Sequence, residues 1–134
     1  MADITGKYSL ESSENFDEYM QSIGVGFLKR KAASALSTAV VDITKTGPDA
    51  YVLKTTTTLK TTELPFVLNK EVPETTIDGR EVKALFTLDG NILKQKQTGA
   101  DGFESTIDRE FTPTGLIATL YHKNVTAVRK YKKV

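Results

Sequence analysis

Asn15-Phe16-Asp17-Glu18-Tyr19-Met20-Gln21-Ser22-Ile23, continuing through Gly24-Val25-Gly26 into Phe27-Leu28-Lys29-Arg30-Lys31-Ala32-Ala33-Ser34-Ala35-Leu36, is the one stretch of the sequence whose apolar spacing is helical. Phe16, Tyr19, Met20 and Ile23 fall at i, i+3, i+4 and i+7 and share one stripe, with Asp17, Glu18 and Gln21 elsewhere. Asn15 suits an N-cap, and Glu18 three residues later completes a start resembling a capping box. Gly24 and Gly26 interrupt the helix, and a second one from Phe27 to Leu36 sets Leu28, Ala32, Ala35 and Leu36 on one side. Isolated helices below roughly 12–15 residues are marginal in water, so both need apolar support from the rest of the chain. The spacing predicts a helix-turn-helix over about residues 15–36, placed as a mobile cover.

Outward from this hairpin the sequence reads as short strands. Lys7 to Glu11 precedes it, and Thr38–Lys45, Ala50–Thr58 and Leu59–Pro65 follow, rich in Val, Thr, Tyr and Ile. Reversals are marked by Gly47-Pro48-Asp49, Asp78-Gly79, Asp89-Gly90-Asn91, Gly99 through Gly102, Pro113-Thr114-Gly115 and His122-Lys123-Asn124. About ten strands at such spacing suit an up-and-down barrel or a sandwich. Closure is favoured because it removes exposed edges, and a barrel of more than eight strands leaves an enclosed cavity.

Length and composition narrow the field. A chain of 134 residues supports one domain, 1–134, since domains run to roughly 100–200 residues. With 39% apolar and 26% charged residues, the balance is that of a soluble globular protein. No apolar run approaches the roughly 20 residues that span a bilayer, and the first residues carry no secretory pattern. Synthesis in the cytosol and a cytoplasmic location are therefore expected. The absence of cysteine excludes disulfides and thiol chemistry, and the net charge of +1 supplies no field for nucleic acid or membranes at large.

The most informative charges sit on the wrong face. From Phe103 to Phe111, period-two alternation puts Glu104, Thr106, Asp108 and Glu110 on one side and Phe103, Ser105, Ile107, Arg109 and Phe111 on the other. In the last strand, Val125, Ala127, Arg129 and Tyr131 oppose Thr126, Val128, Lys130 and Lys132. Arg109 and Arg129 thus stand among apolar neighbours. A guanidinium stays charged, and an unpaired buried ion costs several kcal/mol. Neither inner face supplies an acid, so a ligand carboxylate is a natural counter-ion, with Tyr131 as a further donor. The alternatives are a bulge that shifts the register, or an Asp or Glu from another strand that pairs with the arginines.

Gly6-Lys7-Tyr8-Ser9-Leu10 followed by Asn15 to Phe27 resembles the first strand and helical lid of the intracellular lipid-binding proteins, and within these calycins the fatty-acid-binding proteins. Leu53-Lys54-Thr55, Lys60-Thr61-Thr62-Glu63, Asp78 to Lys83, Thr87-Leu88-Asp89-Gly90 and Val125 to Tyr131 resemble later strands of that family, so the likeness covers essentially the whole chain. The resemblance implies an all-β fold: a ten-stranded antiparallel up-and-down barrel, flattened like a clam and capped by the two helices. It implies intracellular carriage of a long-chain fatty acid by a monomer without cofactor. Arg129 and Tyr131 would touch the carboxylate and Arg109 would act through water. Relatives that bind retinol tend to have glutamine at the arginine positions, which favours an acid here; retinoic acid and other hydrophobic carboxylates stay as alternatives. Phe16, Tyr19, Met20, Val25 and Ala33 match positions lining the cavity or portal, and Leu59, Ile77 and Asp78 match the portal turns opposite. Basic lid residues in relatives meet anionic membranes, which gives Lys29-Arg30-Lys31 that role; a solvated helix face is the alternative.

His122, the single histidine, falls in a turn signal and is expected to be exposed. Neither a metal-ligand cluster nor a Ser-His-Asp grouping is legible, so no enzyme is expected. The Thr-rich run Thr55 to Thr58 is read as strand propensity. A nucleic-acid-binding barrel using Arg129, Lys130, Lys132 and Lys133 is disfavoured by the near-neutral charge and the lack of an aromatic platform. A secreted lipocalin is disfavoured by the missing signal and cysteines.

Overall fold

Ten strands and two helices follow the alternating and helical segments. The computed structural model describes residues 3–35, 38–57, 60–76 and 79–134, and only the backbone of 32–35. The elements are β1 (Gly6–Glu14), α1 (Phe16–Ser22), α2 (Phe27–Ala35), β2 (Ala39–Lys45), β3 (Ala50–Thr57), β4 (Thr61–Val67), β5 (Glu71–Thr75), β6 (Glu81–Asp89), β7 (Ile92–Thr98), β8 (Glu104–Thr112), β9 (Gly115–His122) and β10 (Val125–Lys133). All pairings are antiparallel, in the order β4-β3-β2-β1-β10-β9-β8-β7-β6-β5. The meander is therefore closed through β1 and β10, and β4 and β5 meet without a ladder. Both strands at this seam carry a proline, Pro65 and Pro73, a residue with no N–H to donate and one that sheets confine to edges and bulges. No described helix is long and apolar enough to cross a membrane.

Two apolar clusters divide the interior. At the end away from the helices, Tyr8, Ile43, Tyr51, Phe66, Phe86 and Phe111 belong to one plug, with Phe66 stacked on Phe86 at 3.9 Å and Tyr8 edge-on to Phe111 at 5.6 Å. Such pairs add about 0.5–1.5 kcal/mol to the burial itself. Beneath α1 a smaller cluster joins Tyr19 to Ile107, Ala118, Leu120 and Ala127. Between them lies the unfilled space that ten strands were expected to enclose.

The helical hairpin forms, with two local differences from expectation. Asn15 does not cap α1 through its side chain. Its backbone is left-handed (φ 58°), a conformation asparagine tolerates, while its carbonyl accepts from the Tyr19 N–H at 3.0 Å and its Nδ2 donates to the Thr126 carbonyl at 3.4 Å. Gly24, at φ 95°, ends α1 in a Schellman motif, in which Val25 N–H donates to the Met20 carbonyl and Gly24 N–H to that of Gln21. Leu28 is 80% exposed, so it is not seated as expected; the side chains of Ala32 and Ala35, and Leu36, lie outside the described residues. His122 also departs from expectation, because it is the last inward residue of β9, after Leu116, Ala118 and Leu120, and is buried.

The β8–β9 turn shows how tightly the closing strands are set. A Cβ on Gly115 would lie 2.0 Å from the Tyr131 carbonyl oxygen, a backbone atom that cannot move aside without shifting β10. Gly115→Ala is expected to destabilise the protein by about 3 kcal/mol, at the upper end of overpacking costs. Urea unfolding checks it, and a midpoint equal to that of the parent protein would contradict it.

Candidate functional site

An internal cavity of about 850 Å³ lies between the plug and α1. Arg109, on β8, and Arg129, on β10, both pair in register with Ala118 of the intervening β9. Two strand spacings separate their backbones by roughly 9–10 Å. Partners in register point to the same face, so both side chains rise over the small Ala118 and both line the cavity. Tyr131, two residues beyond Arg129 on the same face, lines it as well.

The two guanidinium groups have different surroundings. Arg129 stacks on the Phe16 ring of α1, with Cζ 3.9 Å from the ring centre. Its Nε donates to the Tyr131 hydroxyl at 3.3 Å and its Nη1 to Ser13 Oγ at 3.4 Å. Three of its five donors remain, and the Tyr131 hydroxyl, which accepts from Arg129, keeps its own hydrogen to donate. No acid among the described residues lies within ion-pair distance of Arg129.

Arg109 is deeper. Its Nη1 donates to Gln95 Oε1 at 2.7 Å, while Gln95 Nε2 donates to Glu74 Oε1 at 2.8 Å and Gln97 Nε2 to the same oxygen at 3.0 Å. Burial draws the Arg109 guanidinium below its ordinary range, and Tyr131, Glu74 and Tyr19 oppose that shift. The inner faces of β8 and β10 supply no acid. Glu74 of β5 faces the cavity and answers the Arg109 charge through one glutamine, the alternative in which another strand contributes the acid. Alternation carried the missed signal: Val72 and Glu74 share a face, as do Leu93, Gln95 and Gln97 opposite Lys94 and Lys96. In β5 the run is only five residues and holds a proline, so its pattern was too short to read.

Phe16, Tyr19, Met20 and Val25 all line the cavity. Leu59, Ile77 and Asp78, and the side chain of Ala33, lie outside the described residues. At the mouth, Lys29 Nζ stands 3.9 Å from where a Gly79 Cβ would be, which brings the second helix to the β5–β6 turn.

Polar contacts also tie α1 to the barrel. Ser105 Oγ donates to the Tyr121 carbonyl at 3.0 Å, so the Tyr19 hydroxyl, 2.5 Å away, is the donor to Ser105. Burial raises the Tyr19 phenol above its ordinary range, a shift the Ser105 bond opposes. Ser22 Oγ, at the end of α1, bonds His122 Nδ1, and the His122 ring stacks on Phe103 at 5.5 Å, with Arg80 over the other ring of that pair.

A family model described as "Lipocalin / cytosolic fatty-acid binding protein family" matches residues 5–134. The sequence is 42% identical over 133 residues to the sodium/calcium exchanger regulatory protein 1 of Doryteuthis pealeii, covering 99% of this chain and 98% of that protein. It is 41% identical over 134 residues to a fatty acid-binding protein of Clonorchis sinensis, covering 99% of each. Among solved structures, the Schistosoma mansoni fatty acid binding protein in complex with arachidonic acid superposes with a TM-score of 0.93 at 31% identity, covering 100% of this chain and 98% of that one.

The lid tie carries a pH dependence. Burial, then Lys123 and Arg80, hold His122 below its ordinary value of 6.5. An unfolded chain therefore takes up a proton near that pH that the folded one refuses, so this contribution is intact above about pH 6.5 and is lost as pH falls through the lower folded value. The melting temperature is expected to drop between about pH 7.5 and about pH 5.5. In His122→Gln that drop should be smaller, and an unchanged drop would assign the effect to other groups.

Proposed function

The chain belongs to the lipocalin / cytosolic fatty-acid-binding protein family, and from that premise we propose that it binds long-chain fatty acids in the internal cavity and carries them through the cytoplasm as a monomer. The carboxylate lies against Arg129 and Tyr131, and Arg109 acts on it from one shell further back. One observation carries this reading: Arg129 faces the cavity with hydroxyls and a ring for partners and no ion-paired acid among the described residues. A carboxylate there completes a charge-assisted pair. Arg109 already shares its charge with Glu74 through Gln95, which leaves it the weaker claim on the ligand. The relatives named as fatty-acid-binding proteins support the ligand class.

The lid supports a second step, collision with an anionic membrane during transfer. Phe27 and Leu28 are exposed to 64% and 80% beside Lys29 and Lys31. Arg30 belongs to the lid itself, since its Nη1 donates to the Val25 carbonyl at 2.8 Å and its Nε lies 3.3 Å from Asp17. The membrane face is therefore Phe27, Leu28, Lys29 and Lys31, with Arg30 holding α2 to α1.

Arg129→Gln is expected to weaken a long-chain acid about tenfold to hundredfold, the scale of a hydrogen bond to a charged group, and the matching alcohol far less. Calorimetric titration of both ligands checks this, and equal losses would place the carboxylate elsewhere. For transfer, Lys29→Ala with Lys31→Ala should slow delivery of a fluorescent fatty acid to anionic vesicles and spare neutral ones. An unchanged rate to anionic vesicles, or equal slowing on both types, would leave the lysines no role in collision.

A further inference from the structure

We infer that Glu74 forms a second ligand subsite, which takes the hydroxyl of a long-chain acid hydroxylated along its chain; this rests on the carrier reading above. The carboxylate of Glu74 lines the cavity, and its Oε1 is held by both Gln95 and Gln97. These glutamines are 1% and 4% exposed, so the group that positions the carboxylate is itself buried.

The chemistry of the chain leaves one arrangement of the Gln95 amide. Arginine only donates and a carboxylate only accepts, so the carbonyl of Gln95 must face Arg109 and its NH₂ must face Glu74. Gln97 must likewise turn its NH₂ to Glu74. Between β5 and β7, the inward residue of β6 that pairs with both Val72 and Gln97 is Ala84, small enough for the Glu74 side chain to reach across it. With two donors on Oε1, the second oxygen has no hydrogen-bond partner among the described residues, although a carboxylate has about four acceptor positions. Glu74 is thus an anchored acceptor facing the cavity, whose lining also carries the guanidinium groups of Arg80, Arg109 and Arg129 beside apolar and hydroxyl groups.

An acceptor of this kind selects a donor. It repels a carboxylate, which directs the acid end of a ligand to Arg129. It also discriminates against an ammonium group, because Arg109 lies one glutamine away and its field opposes a further cation. A hydroxyl supplies a donor without charge, and a ketone at the same carbon supplies only an acceptor. A site built to take an O–H discriminates strongly against an analogue that lacks it, because its buried acceptor is then left unmade.

The test compares hydroxystearates with oxostearates carrying oxygen at the same carbon, across a series of positions, by calorimetric titration of the whole protein, with stearate as reference. At one position at least, the hydroxy acid is expected to bind about tenfold tighter than the oxo acid. In Glu74→Gln, whose amide offers an N–H to the cavity, the ratio is expected to fall to about twofold or to invert. Equal binding of the two series at every position, or an unchanged ratio in Glu74→Gln, overturns the inference while stearate binding leaves the carrier reading standing. Failure of stearate itself to bind overturns both. If Glu74→Gln does not fold, Glu74→Asp keeps the charge but withdraws it by one methylene; the tenfold ratio should then collapse or move to another carbon, and an unchanged ratio at the same carbon overturns the inference.

Discussion

Arg109 keeps a positive charge inside a barrel because Gln95 passes that charge on to Glu74, and much of the interior is arranged around this relay. Placing the acid directly against Arg109 would have made a closed ion pair, with little left to read a ligand. The intervening amide attenuates the pairing, as any added distance does in a medium of low dielectric. It also commits three strands to one register, since the relay runs from β5 through β7 to β8. The closing strands impose a second register. Ala118 of β9 faces Arg109 on one side and Arg129 on the other, so a one-residue slip at either ladder would turn an arginine to the outer face.

The lid is attached by contacts that can be broken singly. Tyr19 reaches Ser105, Ser22 reaches His122, and Phe16 lies on Arg129. Each is of the kind that contributes about 1 kcal/mol, against continuous ladders within the barrel. Opening of α1 and α2 also uncovers the buried Tyr19 and Met20 but breaks no ladder of the sheet, so it costs less than opening of the sheet, which approaches global unfolding. Phe16 gives this opening a link to the site, because a ring that lines the cavity is also the ring on which the Arg129 guanidinium rests.

How far the sequence disclosed this depends on run length. Nine-residue strands such as β8 and β10 carry enough alternation to set Arg109, Arg129 and Tyr131 inward without any structure. The five residues of β5 do not, and Glu74 was lost with them. His122 was misread for a related reason: the same His-Lys-Asn run that marks a reversal also ends an inward series, and the series decides where the ring points. Asn15 was placed rightly at the helix start but given the wrong task, since a cap and a left-handed turn draw on the same residue types. Helical spacing located the lid; it could not show that Arg30 is spent inside the lid, which is a matter of contacts.

The size of the cavity explains why its polar lining is required. At about 24 cal/mol per Å³, an apolar void of 850 Å³ would cost about 20 kcal/mol, more than the whole net stability of a typical domain at about 5–15 kcal/mol. The barrel can hold such a volume only if its walls solvate water, and Arg109, Arg129, Glu74 and Tyr131 are walls of that kind. The same groups must surrender that water to a ligand. An alkyl chain alone would strip them without replacement, so its gain from apolar burial would be offset by polar groups left unmade. A ligand that brings its own charge to Arg129 avoids the loss. Selection for an amphipathic acid over a plain hydrocarbon thus follows from the condition that lets the unliganded barrel exist.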